Sequence, residues 1–170
     1  MQNPTRHKFR ETEHFLARMN ECFEQDDEFR FSLSAYLSAA RSITFYMRKQ
    51  YRHVPGFSQW YCERQIEMQA DPELKYLNDL RVEAVHTEPT GLGATRQGTF
   101  TADAVIASPA LVAEQPQVAP EAQEHTASGV RTVRRFLPEF HGMDVVPFCD
   151  AQLQKLESLL DECERLFLGT

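Results

Sequence analysis

One feature constrains the fold of this chain more than any other: the apolar residues between Phe29 and Tyr51 recur every three or four positions without a break. The full series is Phe29, Leu33, Tyr36, Ala40, Ile43, Met47 and Tyr51. This spacing aligns the side chains on one face of an α-helix, which we predict over residues 27–51. Such a helix removes its apolar face from water only by packing on other helices, so the segment predicts a helical bundle. Pro55 and Gly56 end the helix, because proline disfavours helix in the preceding residue and glycine permits a turn.

Similar but shorter patterns predict three more helices, over about residues 4–25, 56–70 and 147–168. A further helix opens at Asp71-Pro72-Glu73 and stops before Pro89. There the Asp side chain accepts from free N–H groups, proline suits the first helical position, and the helix dipole favours Glu.

The composition changes between the last two of these helices. Alternating apolar residues around 100–106 and 130–136 predict a β-hairpin, and the proline-containing stretch 108–129 predicts a flexible loop. We therefore expect residues 1–170 to form a single, mainly α domain. It is an up-and-down helical bundle of four to five helices, with a small β-hairpin insert at about 91–142 before the C-terminal helix.

The length of 170 residues suits one core. No apolar run is long enough to span a bilayer and the first residues lack a secretory signal, so we expect a cytoplasmic protein without membrane contact. Four widely spaced cysteines form no C-x-x-C pair and fall within apolar patterns, which predicts reduced core residues. They are Cys22, Cys62, Cys149 and Cys163.

The formal net charge of -7 disfavours non-specific adhesion to nucleic acid over the whole surface, so any nucleic-acid function has to be local. Two basic stretches, 41–53 and 131–135, run against this average. The simpler interpretation is a solvated helix face for the first stretch and a solvated edge strand for the second.

We expect no cofactor and no metal. Glycines are few, and no phosphate-binding loop is present. Glu-x-x-His occurs at Glu11 and at Glu83, but di-iron bundles also require inward glutamates from two further helices. No carboxylate occurs between Phe29 and Tyr51 in the central helix.

The remaining motif is R-x4-H, formed by Arg81 and His86 at the end of a predicted bundle helix. In this placement, the motif resembles that of the HEPN superfamily, helical-bundle proteins with an R-x4-6-H nuclease motif found in many bacterial toxins and phage-defence proteins. The short sequences at 38–42, 55–61 and 71–72 are similar to those of bacterial HEPN-like proteins. The resemblance covers residues 1–90 and, loosely, the final helix.

The resemblance implies a metal-independent endoribonuclease acting on RNA, with a cognate antitoxin or another protein as partner. His86 would serve as general acid or base, since histidine titrates near neutral pH, and Arg81 would hold phosphate oxygens. We assign Arg41 and Glu83 to substrate binding: Arg41 would extend the cleft, and Glu83 would lie near the imidazole.

Helical geometry separates positions 81 and 86 by about 500° of rotation, which leaves them about 140° apart. A shared site then requires the length of Arg81, a relaxed last turn or a second subunit, and the family solution is a two-fold homodimer. Val82 occupies the position where the family usually has a polar residue that orients the histidine. We therefore expect weakened activity.

A structural interpretation stays open for each residue. Arg81 can pair with Asp79, Glu83 or a carboxylate of another helix, and Arg41 can be a buried partner of Asp79 or Glu83. A histidine at a helix C-terminus gains from the dipole without any substrate. The alternative function is a non-catalytic dimeric adaptor or regulatory protein. Trp60 and Tyr61 could stack on bases, but core packing is the more common role.

Overall fold

The computed structural model describes residues 3–86, 93–97, 132–138 and 142–168, and for residues 83–86, 93–97 and 132 it describes the backbone alone. The described part contains five helices and three short strands. In chain order they are α1 Pro4–Glu21, α2 Asp26–Tyr51, α3 Phe57–Ala70, α4 Pro72–His86, β1 Gly93–Gln97, β2 Thr132–Leu137, β3 Met143–Asp144 and α5 Val145–Phe167. The mainly helical fold with a small antiparallel β element before the last helix is confirmed.

The central helix α2 follows the prediction closely, and all seven residues of its apolar series are buried. The Tyr36 hydroxyl donates to the carbonyl oxygen of Cys149 at 2.6 Å, which joins α2 to the start of α5. Gly56 has a φ of 83°, in the left-handed region that glycine adopts readily, and α3 begins at the next residue.

Helix α1 ends earlier than predicted, at Glu21 rather than near residue 25. The chain turns after it, and the N–H of Gln25 donates to the carbonyl of Cys22 at 2.9 Å. Asp26 and Asp27 lie in the first turn of α2, where negative charge is favoured by the helix dipole.

The predicted opening of α4 is confirmed. Asp71 Oδ1 accepts from the backbone N–H groups of Glu73 at 2.9 Å and Leu74 at 3.1 Å. The ammonium of Lys155, on α5, lies 2.7 Å from a carboxylate oxygen of both Asp71 and Glu73. This network fixes the start of α4 against α5.

The aromatic residues at the start of α3 belong to the core. Phe57, Trp60 and Tyr61 are buried, and the Trp60 indole donates to Glu162 at 3.2 Å. The Phe57 ring stacks on Tyr61 and meets Phe167 edge-on. The packing interpretation is therefore confirmed.

The cysteine prediction holds for three residues and is wrong for one. Cys22, Cys149 and Cys163 are buried free thiols, whereas Cys62 is exposed. The helix α3 turns only its Phe57, Trp60 and Tyr61 side toward the core. Residue 62 lies on the outer side, as does Ile66, which is 63% exposed.

The three strands form one sheet in the order β1-β2-β3, and β2 pairs antiparallel with β3 through Phe136 with Asp144 and Leu137 with Met143. Strand β2 lies where the second hairpin strand was predicted. The strand predicted near 100–106 and the loop predicted at 108–129 lie outside the described residues.

Two compact units make up the chain, one of residues 1–94 with 135–170 and the other of residues 95–134. The prediction of a solvated edge strand at 131–135 is wrong in two respects, because β2 is the middle strand of the sheet and Arg135 is buried. In the described part, no helix combines the length and apolar character that crossing a bilayer requires.

Candidate functional site

Helices α2, α3 and α4, with Leu156 of α5, line an open groove of about 640 Å³, here called the α2–α4 groove. Its walls carry hydroxyl and amide side chains and four cations, over a floor that includes Leu37 and Leu77. The cations are Arg41, Arg48, Lys75 and Arg81.

Helical spacing explains why these cations share a wall. On α2, positions 41, 45 and 48 are separated by four and three residues and form a stripe beside the buried face. On α4, positions 75, 78 and 81 form a similar stripe. Packing of α4 and α3 on α2 brings the two stripes to one groove.

A second hollow of about 580 Å³, here called the α2–α3 hollow, adjoins the groove. The two share Phe45, Arg48, Tyr61 and Gln65, so they lie side by side along α2, and together they are here called the depression. The hollow adds Lys49 and Arg52. We call the six basic residues of the depression the cationic track: Arg41, Arg48, Lys49, Arg52, Lys75 and Arg81.

The track is unbalanced in charge. Among the described residues, no Asp or Glu lines either the groove or the hollow. This is a strong local departure for a chain with a net charge of -7. The local potential therefore favours an anionic ligand.

Within the described residues, the cations of the track also have no carboxylate partner. None of the six forms an ion pair with another described residue, whereas six basic residues elsewhere do. Those paired residues are Arg6, Lys8, Arg18, Arg64, Arg135 and Lys155.

Arg81 is half-buried, and its Nε atom is buried without a hydrogen-bond partner in the described part of the chain. Buried donors are normally satisfied, and a ligand oxygen would satisfy this one. Arg41 is exposed and donates to the Thr44 hydroxyl at 3.1 Å, so the alternative in which it is buried against Asp79 does not hold. The structure thus brings Arg41 and Arg81 to the same groove.

The other two predicted site residues are placed by backbone only. Glu83 and His86 belong to α4, which is helical through residue 86, and their side chains lie outside the described part. The backbone positions 81 and 86 therefore keep the expected separation of about 140° around the axis. Val82 is 43% exposed.

The sequence identifies most of the track as the basic stretch 41–53, interpreted as a solvated helix face, but it does not place that stretch beside Arg81. It does not single out Lys75 or Phe45. The available signal was a second stripe on α2, at positions 41, 45, 48 and 52, alongside the apolar series. Phe45 is 64% exposed in that stripe, which is unusual for a large apolar ring.

No three His, Cys, Asp or Glu side chains of the described residues are grouped as metal ligands. The groove offers guanidinium, ammonium, amide and hydroxyl donors, which suit phosphate or carboxylate oxygens. The arrangement can therefore bind and orient an anion.

Comparison with known proteins identifies a family. Neither the curated proteins nor the solved structures contain a match to the chain. The family described as bacteriophage lambda protein ea47 matches residues 4–134, which include α1 to α4 and every cation of the track. Since this match covers more than half of the sequence, the chain belongs to the bacteriophage lambda protein ea47 family.

Proposed function

We propose that the protein is a HEPN-like, metal-independent endoribonuclease that holds RNA in the α2–α4 groove. The observation that carries the proposal is that Arg81, the first residue of the R-x4-H motif, shares a carboxylate-free groove with Arg41 in the described part of the chain. An unpaired guanidinium in such a groove is suited to a phosphate diester.

The proposed reaction assigns one role to each end of the motif. His86 accepts the proton of an RNA 2′-hydroxyl, whose oxygen then attacks the adjacent phosphorus. The bond from phosphorus to the 5′-oxygen breaks, that oxygen takes up a proton from water, and protonated His86 returns its own proton to the solvent. The products are a 2′,3′-cyclic phosphate and a 5′-hydroxyl. Arg81 and Arg41 stabilise the charge on the phosphorane oxygens, and Glu83 lies one helical turn before His86.

The direct test is incubation of the purified protein with total RNA in EDTA, followed by mapping of the cleaved ends. We expect cleavage by the wild type, its loss in Arg81→Ala and His86→Ala, and a reduced rate in Arg41→Ala. Arg10→Ala is the matched control, because Arg10 is exposed on α1 and lines neither the groove nor the hollow. Undiminished cleavage by folded Arg81→Ala and His86→Ala proteins would refute the proposal.

We further propose that the site is completed by a homodimer, since positions 81 and 86 lie on different sides of α4. Mixing inactive Arg81→Ala and His86→Ala proteins tests this. If each site takes Arg81 from one subunit and His86 from the other, the mixture should regain about a quarter of wild-type activity. Half of the dimers are then mixed, and each mixed dimer has one intact site out of two. A mixed dimer without activity would contradict a shared site.

A toxin or phage-defence role extends the same proposal. Expression of the wild type is expected to slow bacterial growth, while expression of His86→Ala is not. A cognate antitoxin would be the protein that, when co-expressed, restores growth and co-purifies with the wild type. Equal growth inhibition by the wild type and His86→Ala would assign the effect to something other than cleavage.

The alternative is a non-catalytic dimeric adaptor or regulatory protein, and one observation favours it. Val82 places an exposed apolar side chain where the resemblance implies a polar partner for the histidine. An adaptor leaves RNA intact under all conditions and retains its partner when His86 is replaced by Ala. Robust RNA cleavage that depends on His86 would eliminate this alternative.

A further inference from the structure

The cationic track extends well beyond Arg81 and Arg41. Arg48, Lys49 and Arg52 continue along α2 into the α2–α3 hollow. From residue 41 to residue 52 the helix advances about 16 Å. A stacked nucleic-acid strand advances about 3.4 Å per nucleotide and an extended one more, so this length matches about three to five nucleotides.

Phe45 lies at the centre of this path. Its ring is 64% exposed, and it lines both the groove and the hollow. Arg41 and Arg48 flank it on the same stripe of α2, four residues before and three residues after. An exposed aromatic ring set between cations is the arrangement that single-stranded nucleic acids use, with the base stacked on the ring and the phosphates held by the cations.

Duplex RNA fits this surface less well. Its bases are paired and stacked internally, and proteins recognise it mainly through phosphates and 2′-hydroxyls. The Phe45 ring would then gain no stacking partner. An acidic peptide would satisfy the cations but has no base to place on the ring.

We propose that the cationic track binds a single-stranded RNA segment of about three to five nucleotides, with one base stacked on Phe45 and phosphates held by Arg48, Lys49 and Arg52. The inference rests on the proposed function, because it makes the track the path by which the substrate reaches Arg81. It also makes Phe45 a specificity-determining residue.

The experiment measures binding without chemistry. Labelled oligouridines with 2′-O-methyl groups cannot undergo attack by the 2′-oxygen, so their affinity for the wild-type protein can be followed by fluorescence anisotropy. We expect affinity to rise with length up to about five nucleotides and little beyond. A hairpin duplex of equal charge is expected to bind at least tenfold more weakly than the single strand.

Two sets of variants separate stacking from charge. Phe45→Ala lowers affinity about tenfold and leaves the salt dependence unchanged, while Phe45→Trp retains affinity. The triple variant Arg48→Gln, Lys49→Gln, Arg52→Gln makes the slope of log affinity against log salt shallower by about 2, since each single-strand phosphate contact contributes about 0.7.

Matched controls lie outside the track. Phe31 is 71% exposed on the same helix and lines neither the groove nor the hollow, so Phe31→Ala should bind like the wild type. The triple variant Arg10→Gln, Arg30→Gln, Arg165→Gln removes the same charge from exposed residues elsewhere and should preserve the salt slope.

Several results would overturn the inference. Two of them concern stacking: equal RNA affinity of Phe45→Ala and the wild type, or equal affinity of the wild type for duplex and single strand. Two concern charge: polyglutamate that competes for the track as well as unlabelled single-stranded RNA does, or an unchanged salt slope in the triple variant of Arg48, Lys49 and Arg52. The proposed function fails separately: RNA binding as described, with no cleavage of unmodified RNA, supports the track and removes the nuclease. His86-dependent cleavage with normal binding by the track variants supports the nuclease and removes the track.

Discussion

The guanidinium carbon of Arg135 lies 4.4 Å from the centre of the Phe29 ring, at the first turn of α2. Only 3% of Arg135 is exposed. Its Nε donates to the carbonyl of Phe23 at 2.8 Å, and its Nη2 donates to Asp26 Oδ1 at 2.8 Å. One side chain of β2 thus holds the turn between α1 and α2 through a ring face, a carbonyl and a carboxylate.

Replacing Arg135 should therefore destabilise the bundle. We expect Arg135→Met to lower the free energy of unfolding by about 2 kcal/mol, because the Phe23 carbonyl loses its buried donor and the Phe29 ring loses its cation. Arg135→Lys should cost less, since it keeps the charge without the forked geometry. Urea denaturation followed by circular dichroism measures both. A midpoint for Arg135→Met equal to that of the wild type would contradict this role.

The cap of α4 gives a second stability prediction. Asp71→Ala removes the acceptor for two backbone N–H groups and should cost about 1 kcal/mol. Asp71→Asn retains a capping oxygen and should cost less. Asp79→Ala, at an exposed position within α4, is the control and should stay within about 0.5 kcal/mol of the wild type. Equal losses for Asp71→Ala and Asp79→Ala would rule out the cap.

Stability should fall in acid through the same network. Burial alone would raise the pKa of Asp71, but the Lys155 hydrogen bond and two backbone N–H groups outweigh it and lower the pKa below the ordinary 3.8. The hydrogen bonds from Lys155 and Gln152 lower the pKa of Glu73 below the ordinary 4.5. A carboxyl whose pKa is lower in the folded protein than in the unfolded chain stabilises the fold at any pH above its unfolded pKa. This stabilisation is lost as the pH falls through the folded pKa.

We therefore expect the contribution of this network to be constant near neutral pH and to decline below the ordinary pKa values of 4.5 and 3.8. Lys155→Met should flatten part of that decline, because it removes the cation that lowers both pKa values. Thermal unfolding from pH 7 to pH 3 measures the effect. Parallel curves for Lys155→Met and the wild type would show that the network does not contribute.

The thiols should differ sharply in reactivity. Cys62 is exposed and should react with a disulfide reagent in the native protein, while the other three cysteines react only after unfolding. Burial raises the pKa of Cys149, and burial with the nearby Glu164 and Glu162 raises that of Cys163 to about 12. Cys62→Ser should leave no fast-reacting thiol. Rapid reaction of a second native thiol would show that the core opens locally.

The residue after Arg81 offers a test of activity. Val82 is 43% exposed, so Val82→Asn should leave stability within about 0.5 kcal/mol of the wild type. The amide lies four residues before His86 and is placed to orient the imidazole, and we expect RNA cleavage to rise roughly tenfold. Val82→Ala, which keeps the position apolar, is the control and should leave cleavage at the wild-type level. Cleavage that stays at the wild-type level in Val82→Asn would contradict the expectation of weakened activity.

The sequence predicted the helices well because local chemistry sets them. The apolar spacing of α2 and the Asp71 cap depend on neighbours within one or two turns. The burial of Arg135 and the exposure of Cys62 depend instead on which faces of separate elements meet, and spacing within one element carries no information on that.

The candidate site also has a part that the sequence predicts and a part that depends on packing between helices. Arg81 was identified from a motif, but its shared groove with Arg48 and Lys75 required the packing of α2 against α4. The lack of carboxylates along the described depression is likewise a property of three helices together. A single helical pattern shows which residues are polar and not what they face across a groove.

The buried Leu77 and Leu80, together with the Asp71 cap, anchor α4 ahead of its motif. Residues 81–86 therefore form a terminal segment of about one and a half turns, whose chemistry can change while the scaffold that carries it keeps its register. Under the proposed function, substitutions within this segment change catalytic activity without unfolding the bundle, so related chains with the same bundle are expected to range from active ribonucleases to inert binding proteins.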